Sequence, residues 1–336
     1  MIEDRHIALA YGNGGRLTRT LIEELFALHL ANDELDVGLD AAPIDLPAGM
    51  VPMITTDGFT VQPLEFPGGD IGSLAVNGTV NDLAVSGATP LYLTLNAFIE
   101  EGFEVETLDR LVQSIAAATK LAGVKIVAGD TKVLPRGQGG GLYLATTGVG
   151  MRPSDLQLGL GRIEVGDRLL VSGPVGDHGI AVMLAREAFD LKGPVQSDCA
   201  PVHHLTAAIS GIAGLKFMRD PTRGGLATVA HEIAMATSTT VRLKETDVPV
   251  QDPVRSVCDM LGYDPYYLAC EGRVVAIVSP EVADEALAIW QQTPGGAGAA
   301  IIGSIEEGRA QVLLETEIGG SRVLDELEDD PLPRIC

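Results

Sequence analysis

The fold of this chain is decided by residues 72–97, which read GSLAVNGTVNDLAVSGATPLYLTLNA. The first half is an Ala-rich run that predicts a helix over 72–86, and 91–97 reads as a short β-strand. Further β-type runs follow the same pattern at 51–56, 125–128 and 142–147, and a second helical run covers 105–122. This alternation of strands and helices indicates an α/β unit.

The pattern starts again after residue 153, with predicted strands over 168–172 and 273–278 and predicted helices between and after them. Upstream, Leu17, Leu21, Leu25 and Leu28 recur at helical spacing. We therefore predict an α/β (α+β) protein of four parts. They are an N-terminal arm (1–39), an N-terminal domain (40–152), a C-terminal α/β domain (153–316) and a mobile, proline-punctuated tail (317–336).

The composition excludes several classes of protein. Among 336 residues, 46 Asp and Glu stand against 23 Lys and Arg, which gives a formal net charge of −23. Such a surface repels phosphate backbones and anionic lipid, so neither nucleic acid nor a membrane is an expected partner. No apolar stretch approaches the roughly 20 residues of a membrane helix, and the acidic start lacks the features of a secretory signal. We expect a cytoplasmic protein.

A set of aspartates at predicted strand ends and helix starts could bind a metal and a nucleotide. No P-loop or Rossmann signature is present. Carboxylate oxygens suit Mg²⁺, which usually bridges to substrate phosphates. The alternative is that each aspartate caps a helix or shapes a turn. The set is Asp40, Asp57, Asp82, Asp130 and Asp220.

Three glycine-containing segments could bind an anion. Residues 68–72 lead into the predicted helix, where free backbone N–H groups can hold phosphate. Arg223 precedes two glycines and adds a forked donor. Residues 12–15 form a third such segment, for which a plain turn is an equal reading.

Three further residues could carry chemistry. Lys132 ends a predicted strand, although a solvated surface charge fits equally. Glu271 precedes an apolar strand and could act as a base, or could form a salt bridge with Arg273 or a neighbouring basic group. Cys336 is the last residue and could serve as a carrier thiol, or could be an incidental surface cysteine. Cys199, Cys258 and Cys270 form no CxxC pair and are expected to pack as small apolar groups.

Seven segments resemble those of the hydrogenase maturation factor HypE family, within the superfamily of aminoimidazole ribonucleotide synthetase and selenophosphate synthetase. The resemblance spans nearly the whole chain, and the terminal PRIC is what distinguishes HypE from the other members. The segments are TTDG (55–58), GTVNDLA (78–84), GDTKV (129–133), GDHG (176–179), DPTRGG (220–225), EG (271–272) and PRIC (333–336).

The resemblance implies a two-domain PurM-like fold and a homodimer whose N-terminal domains form a shared barrel. It implies Mg²⁺ held by Asp40, Asp57, Asp82 and Asp220, and Lys132, Glu271 and Cys336 as catalytic residues. It also implies a set of ATP-binding residues, namely Asp57, Gly58, Asp82, Gly129, Asp130, Thr131, Asp220, Thr222 and Arg223.

The implied reaction begins with transfer of a carbamoyl group to Cys336 from the carbamoyltransferase HypF. ATP-dependent dehydration then gives a thiocyanate, and the cyano group passes through the HypC–HypD scaffold to the iron of [NiFe] hydrogenase. Phosphorylating the thiocarboxamide oxygen makes it a leaving group, and loss of the N–H protons completes the nitrile.

Two residues depart from the family pattern, and two other functions remain alternatives. Tyr11 stands where His is frequent, and Cys270 stands where Asn is frequent.

Another ATP-dependent synthetase of the superfamily is one alternative function. Selenophosphate synthetase, however, would carry a cysteine or selenocysteine near the N-terminus, and none occurs before residue 16. A non-catalytic scaffold that presents the tail is the other alternative, and it would not require the aspartates.

Overall fold

The computed structural model describes residues 2, 4–37, 41–186 and 194–327. Near the N-terminus, helices α1 (Arg16–Leu21) and α2 (Ala27–Leu30) are joined by a π-helical segment, Ile22–Phe26. The predicted helix is therefore confirmed. Leu21 and Leu25 are buried, whereas Leu28 is 63% exposed. A π-helical turn holds more residues than an α-helical one, which changes the register and accounts for the exposed leucine.

The N-terminal domain is a four-stranded sheet with two helices on one face. The strand order is β1-β6-β4-β5, and only the β4–β5 pair is parallel. Its elements are β1 (Met50–Phe59), β2 (Glu65–Phe66), β3 (Gly69–Asp70), α3 (Ile71–Val85), β4 (Thr89–Glu100), α4 (Val105–Ala122), β5 (Lys125–Leu134) and β6 (Leu142–Pro153).

Helix α3 is buried along nearly its whole length, which matches its apolar sequence. It begins with a capping box, in which the Asp70 carboxylate accepts from the Ser73 backbone N–H at 2.9 Å and the Ser73 hydroxyl accepts from the Asp70 N–H at 3.0 Å. The Asp70 carboxylate thus accepts from one of the backbone N–H groups at the start of α3 that could otherwise bind an anion. The capping box therefore accounts for the N–H groups of Asp70 and Ser73, and anion binding at 68–72 stays a prediction.

The C-terminal domain is built on a seven-stranded sheet of order β13-β12-β9-β11-β7-β10-β8. All pairs except β9–β12 are antiparallel. Its elements are β7 (Arg168–Val171), α5 (Asp177–Ala185), α6 (His203–Ile209), β8 (Leu215–Arg219), α7 (Gly225–Thr237), β9 (Thr240–Lys244), α8 (Asp252–Leu261), β10 (Val275–Val278), α9 (Ala283–Gln292), β11 (Ala300–Glu306), β12 (Gln311–Glu315) and β13 (Ser321–Leu324).

Strand β13 corrects the predicted start of the tail at residue 317. It pairs antiparallel with β12, and Leu324 is fully buried in the core of the domain. Burial of this leucine and a paired strand edge hold the segment in place, so the sheet continues to residue 324. The acidic end of the chain, residues 328–336, lies outside the described residues.

The two domains share a hydrophobic core. One cluster combines Leu74 of α3 and Ile115 of α4 with Val182 of α5 and Val254 of α8. The segment 194–202, here called the bridging loop, runs between the domains, and its Ser197 N–H donates to the Pro67 carbonyl at 2.8 Å. In the described part of the chain, no helix combines the length and apolar character needed to cross a membrane.

Candidate active site

A polar cavity of about 460 Å³ lies between the sheet of the N-terminal domain and β8. Three of the predicted nucleotide residues, Asp82, Asp220 and Thr222, line it together. Asp82 sits within α3 and accepts from the Thr55 hydroxyl at 2.9 Å, and Asp220 directly follows β8. Asp82 and Thr222, which are 140 positions apart in the sequence, therefore line the same cavity, as the resemblance implies.

None of the four described aspartates of the predicted set caps a helix. Asp57 lies in β1 and Asp130 in β5, whereas Asp82 is inside α3 and Asp220 ends a strand. The carboxylates of Asp57 and Asp130 accept from the following backbone N–H, at 2.7 and 2.8 Å, and that of Asp130 also pairs with Lys132. The helix-capping alternative is thus wrong for these four residues. Asp40 lies outside the described residues.

Asp57, Asp82 and Asp220 lie close enough to repel one another. Burial raises the pKa of Asp220 to about 7, and Asp82 and Asp57 add to the rise. Burial and the charge of Asp57 likewise raise the pKa of Asp82, against the Thr55 hydrogen bond. Arg219 opposes this concentration of negative charge only in part, so a bound cation would be stabilised here.

The donor set fits Mg²⁺ in chemistry but does not form a closed cage. Among the residues that the structure describes, no group of three or more His, Cys, Asp or Glu side chains is arranged to hold a metal ion. Mg²⁺ commonly takes one or two carboxylates and completes its octahedron with waters and substrate phosphates. The three aspartates suit that mode of binding, in which the nucleotide supplies the remaining oxygens.

The other predicted nucleotide residues lie in different surroundings. Gly129, Asp130 and Thr131 line a separate cavity of about 190 Å³ between β5 and the N-terminal helices. Lys132 pairs with Asp130 at 2.7 Å, and both side chains are more than half exposed. The pair lowers the pKa of the Asp130 carboxyl. Gly58 and Arg223 are exposed and line neither cavity.

Glu271 is 4% exposed and lies in a tight loop before β10. Burial, followed by the charges of Asp220, Asp198, Asp57 and Asp82, raises the pKa of its carboxyl well above the ordinary value. Arg273 binds Asp177 at 3.2 Å and Asp198 at 3.6 Å rather than Glu271, so the alternative of a salt bridge between Glu271 and Arg273 is wrong. The proposed base therefore shares an electrostatic environment with the three aspartates.

The described cysteines are packing residues, as predicted. Cys258 and Cys270 are buried, and burial raises the pKa of all three thiols, that of Cys258 to about 12. The Cys270 thiol accepts from the Gly176 N–H at 3.3 Å. The departure at Tyr11 is also structural, since this ring is buried and its hydroxyl donates to Asp4 at 2.8 Å. Cys336 lies outside the described residues.

Sequence reasoning missed four polar residues near these groups. Arg152 and Arg219 line the larger cavity, and the buried Nε of Arg152 has no hydrogen-bond partner among the residues that the structure describes. Asn81 and Asp198 bind the backbone of Glu271. Asn81 was visible within the GTVNDLA segment, where only its neighbour Asp82 was given a role. Asp198 stands in no recognisable motif.

Comparison with known proteins places the chain in a family. The model of the AIR synthase related protein N-terminal domain matches residues 38–152, and that of the C-terminal domain matches residues 164–314. Carbamoyl dehydratase HypE of Azotobacter vinelandii is 45% identical over 333 residues, covering 98% of this chain and 97% of that protein. The chain belongs to the HypE family of carbamoyl dehydratases.

Solved HypE structures have the same fold. One, described as hydrogenase maturation protein HypE in complex with ATP, has a TM-score of 0.92 and 42% identity, covering 98% of this chain and 99% of that one. Another, described as a HypE–HypF complex, has a TM-score of 0.80 and 43% identity, covering 91% and 99%. The predicted HypE family, two-domain PurM-like fold and carbamoyl dehydratase activity are confirmed.

Proposed function

We propose that this enzyme dehydrates an S-carbamoyl group on its own Cys336 to a thiocyanate, consuming ATP in the presence of Mg²⁺. The observation that carries the proposal is the position of Glu271. Its buried carboxyl interacts electrostatically with Asp57, Asp82 and Asp220, so a proton acceptor lies beside the residues proposed to hold the nucleotide and its metal. The solved HypE complex with ATP supports the nucleotide.

The reaction requires that an amide oxygen become a leaving group. The thiocarbamate oxygen attacks the γ-phosphorus of ATP, and ADP leaves. The nitrogen loses its two protons, the C–O bond breaks, and phosphate departs as the C≡N bond forms. When bound, Mg²⁺ would offset charge on the transferring phosphoryl group. The sum is thiocarbamate plus ATP giving thiocyanate, ADP and phosphate.

The roles of the chain follow from the groups that it supplies. Asp57, Asp82 and Asp220, with Asp40, provide oxygen ligands for the metal, and the predicted ATP-binding residues hold the nucleotide. Glu271 accepts a proton from the nitrogen, because a carboxylate with a raised pKa is a stronger base once ionised. Lys132, whose exposed ammonium is already paired with Asp130, binds the thiocarboxamide.

The proposed partners follow from the chemistry and from the solved complex. HypF is the proposed carbamoyl donor, consistent with the HypE–HypF structure, and the HypC–HypD scaffold is the proposed acceptor of the cyano group. The uncovered face of the four-stranded sheet includes Ile54, which is 74% exposed, and we propose that it forms the barrel of a homodimer. The cytoplasm is the proposed location.

Mass spectrometry of the C-terminal peptide tests the activity. Carbamoylated protein incubated with Mg-ATP should lose the mass of one water from this peptide, and protein incubated without ATP should retain the carbamoyl group. Cys336→Ala should accept no carbamoyl group, whereas the matched control Cys258→Ala should accept it. Dehydration without ATP, or carbamoylation of Cys336→Ala, would contradict the proposal.

A further inference from the structure

The segment 269–273, here called the glutamate loop, is held by several of the motifs that the sequence singled out. Its Cys270 N–H donates to the Pro221 carbonyl at 3.0 Å, within the DPTRGG segment. Its Ala269 carbonyl accepts from the Gly179 N–H at 3.1 Å, within GDHG. The glutamate loop is therefore hydrogen-bonded to two motifs that are separate in the sequence, DPTRGG and GDHG.

Two buried side chains fix the peptide groups on either side of Glu271. The Asp198 carboxylate accepts from the Glu271 N–H at 3.1 Å and from the Gly272 N–H at 3.3 Å. From the other side, the Asn81 amide donates to the Glu271 carbonyl at 2.9 Å. Backbone donors and an acceptor that flank the proposed base are thus bound by side chains rather than by regular secondary structure.

These two side chains are themselves held in place. Asp198 lies on the bridging loop and pairs with Arg273 at 3.6 Å, while the Arg273 Nε donates to the Pro174 carbonyl at 2.7 Å. The Asn81 amide donates also to the Ala200 carbonyl at 3.1 Å, and its oxygen accepts from the Val202 N–H at 2.8 Å. Asn81 therefore binds both the bridging loop and the glutamate loop.

The fit between these loops leaves no free space. A Cβ atom on Gly272 would lie 1.8 Å from the Asp198 carbonyl oxygen, so the two backbones are in direct contact. The glutamate loop cannot shift toward the bridging loop, and its hydrogen bonds oppose a shift away. Close packing with satisfied polar groups is the arrangement that holds a reacting group within a fraction of an ångström.

We propose that Asp198 and Asn81 are positioning residues that hold the backbone of Glu271 so that its carboxylate meets the thiocarboxamide nitrogen. This inference rests on the proposed role of Glu271 as the base. Neither residue touches the reacting atoms. Their effect is on geometry, and a displacement of the order of 1 Å at a reacting group can cost about 100-fold in rate.

The test compares Asp198→Asn with a matched control, Asp167→Asn. Asp167 is likewise buried, accepts from the Glu164 N–H at 2.7 Å and pairs with Lys216 at 2.9 Å, and none of these bonds involves the glutamate loop. Each variant loses a buried carboxylate that accepts from a backbone N–H and pairs with a basic side chain. Carbamoylated protein is mixed with Mg-ATP, and the kcat for water loss and the KM for ATP are measured for each.

The inference predicts that Asp198→Asn lowers kcat by at least about tenfold while the KM for ATP stays within about threefold of the wild-type value. Asp167→Asn should keep both constants near wild type. Equal kcat values in the two variants would overturn the inference, as would an effect on the KM for ATP alone. If Asp198→Asn does not fold, Asn81→Ala is judged by the same two constants.

A Glu271→Gln variant separates this inference from the proposed function. If Glu271→Gln dehydrates at the wild-type rate, the assignment of the base is wrong and the positioning role is overturned with it. If Glu271→Gln is inactive and Asp198→Asn is as active as Asp167→Asn, only the positioning role is overturned. In the double variant Asp198→Asn/Glu271→Gln, the positioning role predicts no loss beyond that of Glu271→Gln alone.

Discussion

Replacing Asp177 by Asn should change how stability depends on pH. Asp177 begins α5 and is 1% exposed. Its Oδ2 accepts from Gln251 at 2.7 Å and from Arg273 at 3.2 Å, whereas its buried Oδ1 has no partner among the described residues. Burial, with the charge of Asp198, raises the pKa of Asp177 to about 6 despite the Arg273 ion pair.

The direction in which stability changes with pH follows from the difference between the pKa of Asp177 in the folded and unfolded states. A carboxyl with a pKa of about 6 in the folded state and 3.8 in the unfolded state favours folding fully below pH 3.8, and this contribution is lost as the pH rises through 6. The whole displacement corresponds to about 3 kcal/mol at 1.36 kcal/mol per pKa unit. Between pH 5 and pH 8 the integrated change is about 1.4 kcal/mol.

Urea unfolding of the wild type and Asp177→Asn at pH 5 and pH 8 measures this quantity. The asparagine does not titrate, so the difference between the two free energies of unfolding isolates the carboxyl. From pH 8 to pH 5, the wild type should gain about 1.4 kcal/mol relative to the variant. In an Asp198→Asn background the gain should be smaller, because one repelling charge is gone. An equal difference at both pH values would refute the reasoning.

Three further outcomes are expected. Asp70→Ala removes the cap of α3 and should lower the free energy of unfolding by about 1 kcal/mol in urea titration; no measurable loss would show that the capping box contributes nothing. Gly72→Ala places a Cβ 2.6 Å from the Leu111 carbonyl oxygen between α3 and α4, and should lower the free energy of unfolding by about 1–3 kcal/mol. The control Gly211→Ala, whose Cβ meets no atom within 4 Å, should leave the free energy of unfolding unchanged. Equal losses in the two variants would contradict the packing argument. Mg-ATP at 100 times its dissociation constant should stabilise the fold by about 2.7 kcal/mol in thermal unfolding, and EDTA should abolish most of this gain; full stabilisation by ATP with EDTA present would count against the metal site.

Local sequence patterns predicted the elements that carry strong periodicity. The helix predicted over 105–122 is α4, Val105–Ala122, which ends where Gly123 adopts a left-handed conformation. The strand predicted over 168–172 likewise matches β7, Arg168–Val171, to within one residue. Strands β8 and β9 and helix α8 were not predicted. The two strands are only five residues long, and β9 pairs with β11 and β12, which lie some sixty residues later in the chain.

The sequence predicted two of the aspartates that line the candidate site, but it did not predict the arginines beside them or the residues that hold Glu271. Asp82 and Asp220 stand in recognisable segments, and the structure brings them to one cavity. Asn81 and Asp198 act on Glu271 through hydrogen bonds that span 190 and 73 residues. Contacts of this kind depend on the packing of two domains, and no local pattern in the sequence encodes them.

The span of the hydrogen bond from Asn81 to Glu271 has a consequence for synthesis of the chain. A ribosome that has just added Asn81 must add 190 more residues before its partner Glu271 exists. Domains fold as units during synthesis, and contacts distant in sequence form after local ones. The hydrogen bonds that hold Glu271 are therefore completed only after both domains have folded, and a chain that ends before residue 271 has helix α3 and Asn81 without their partner.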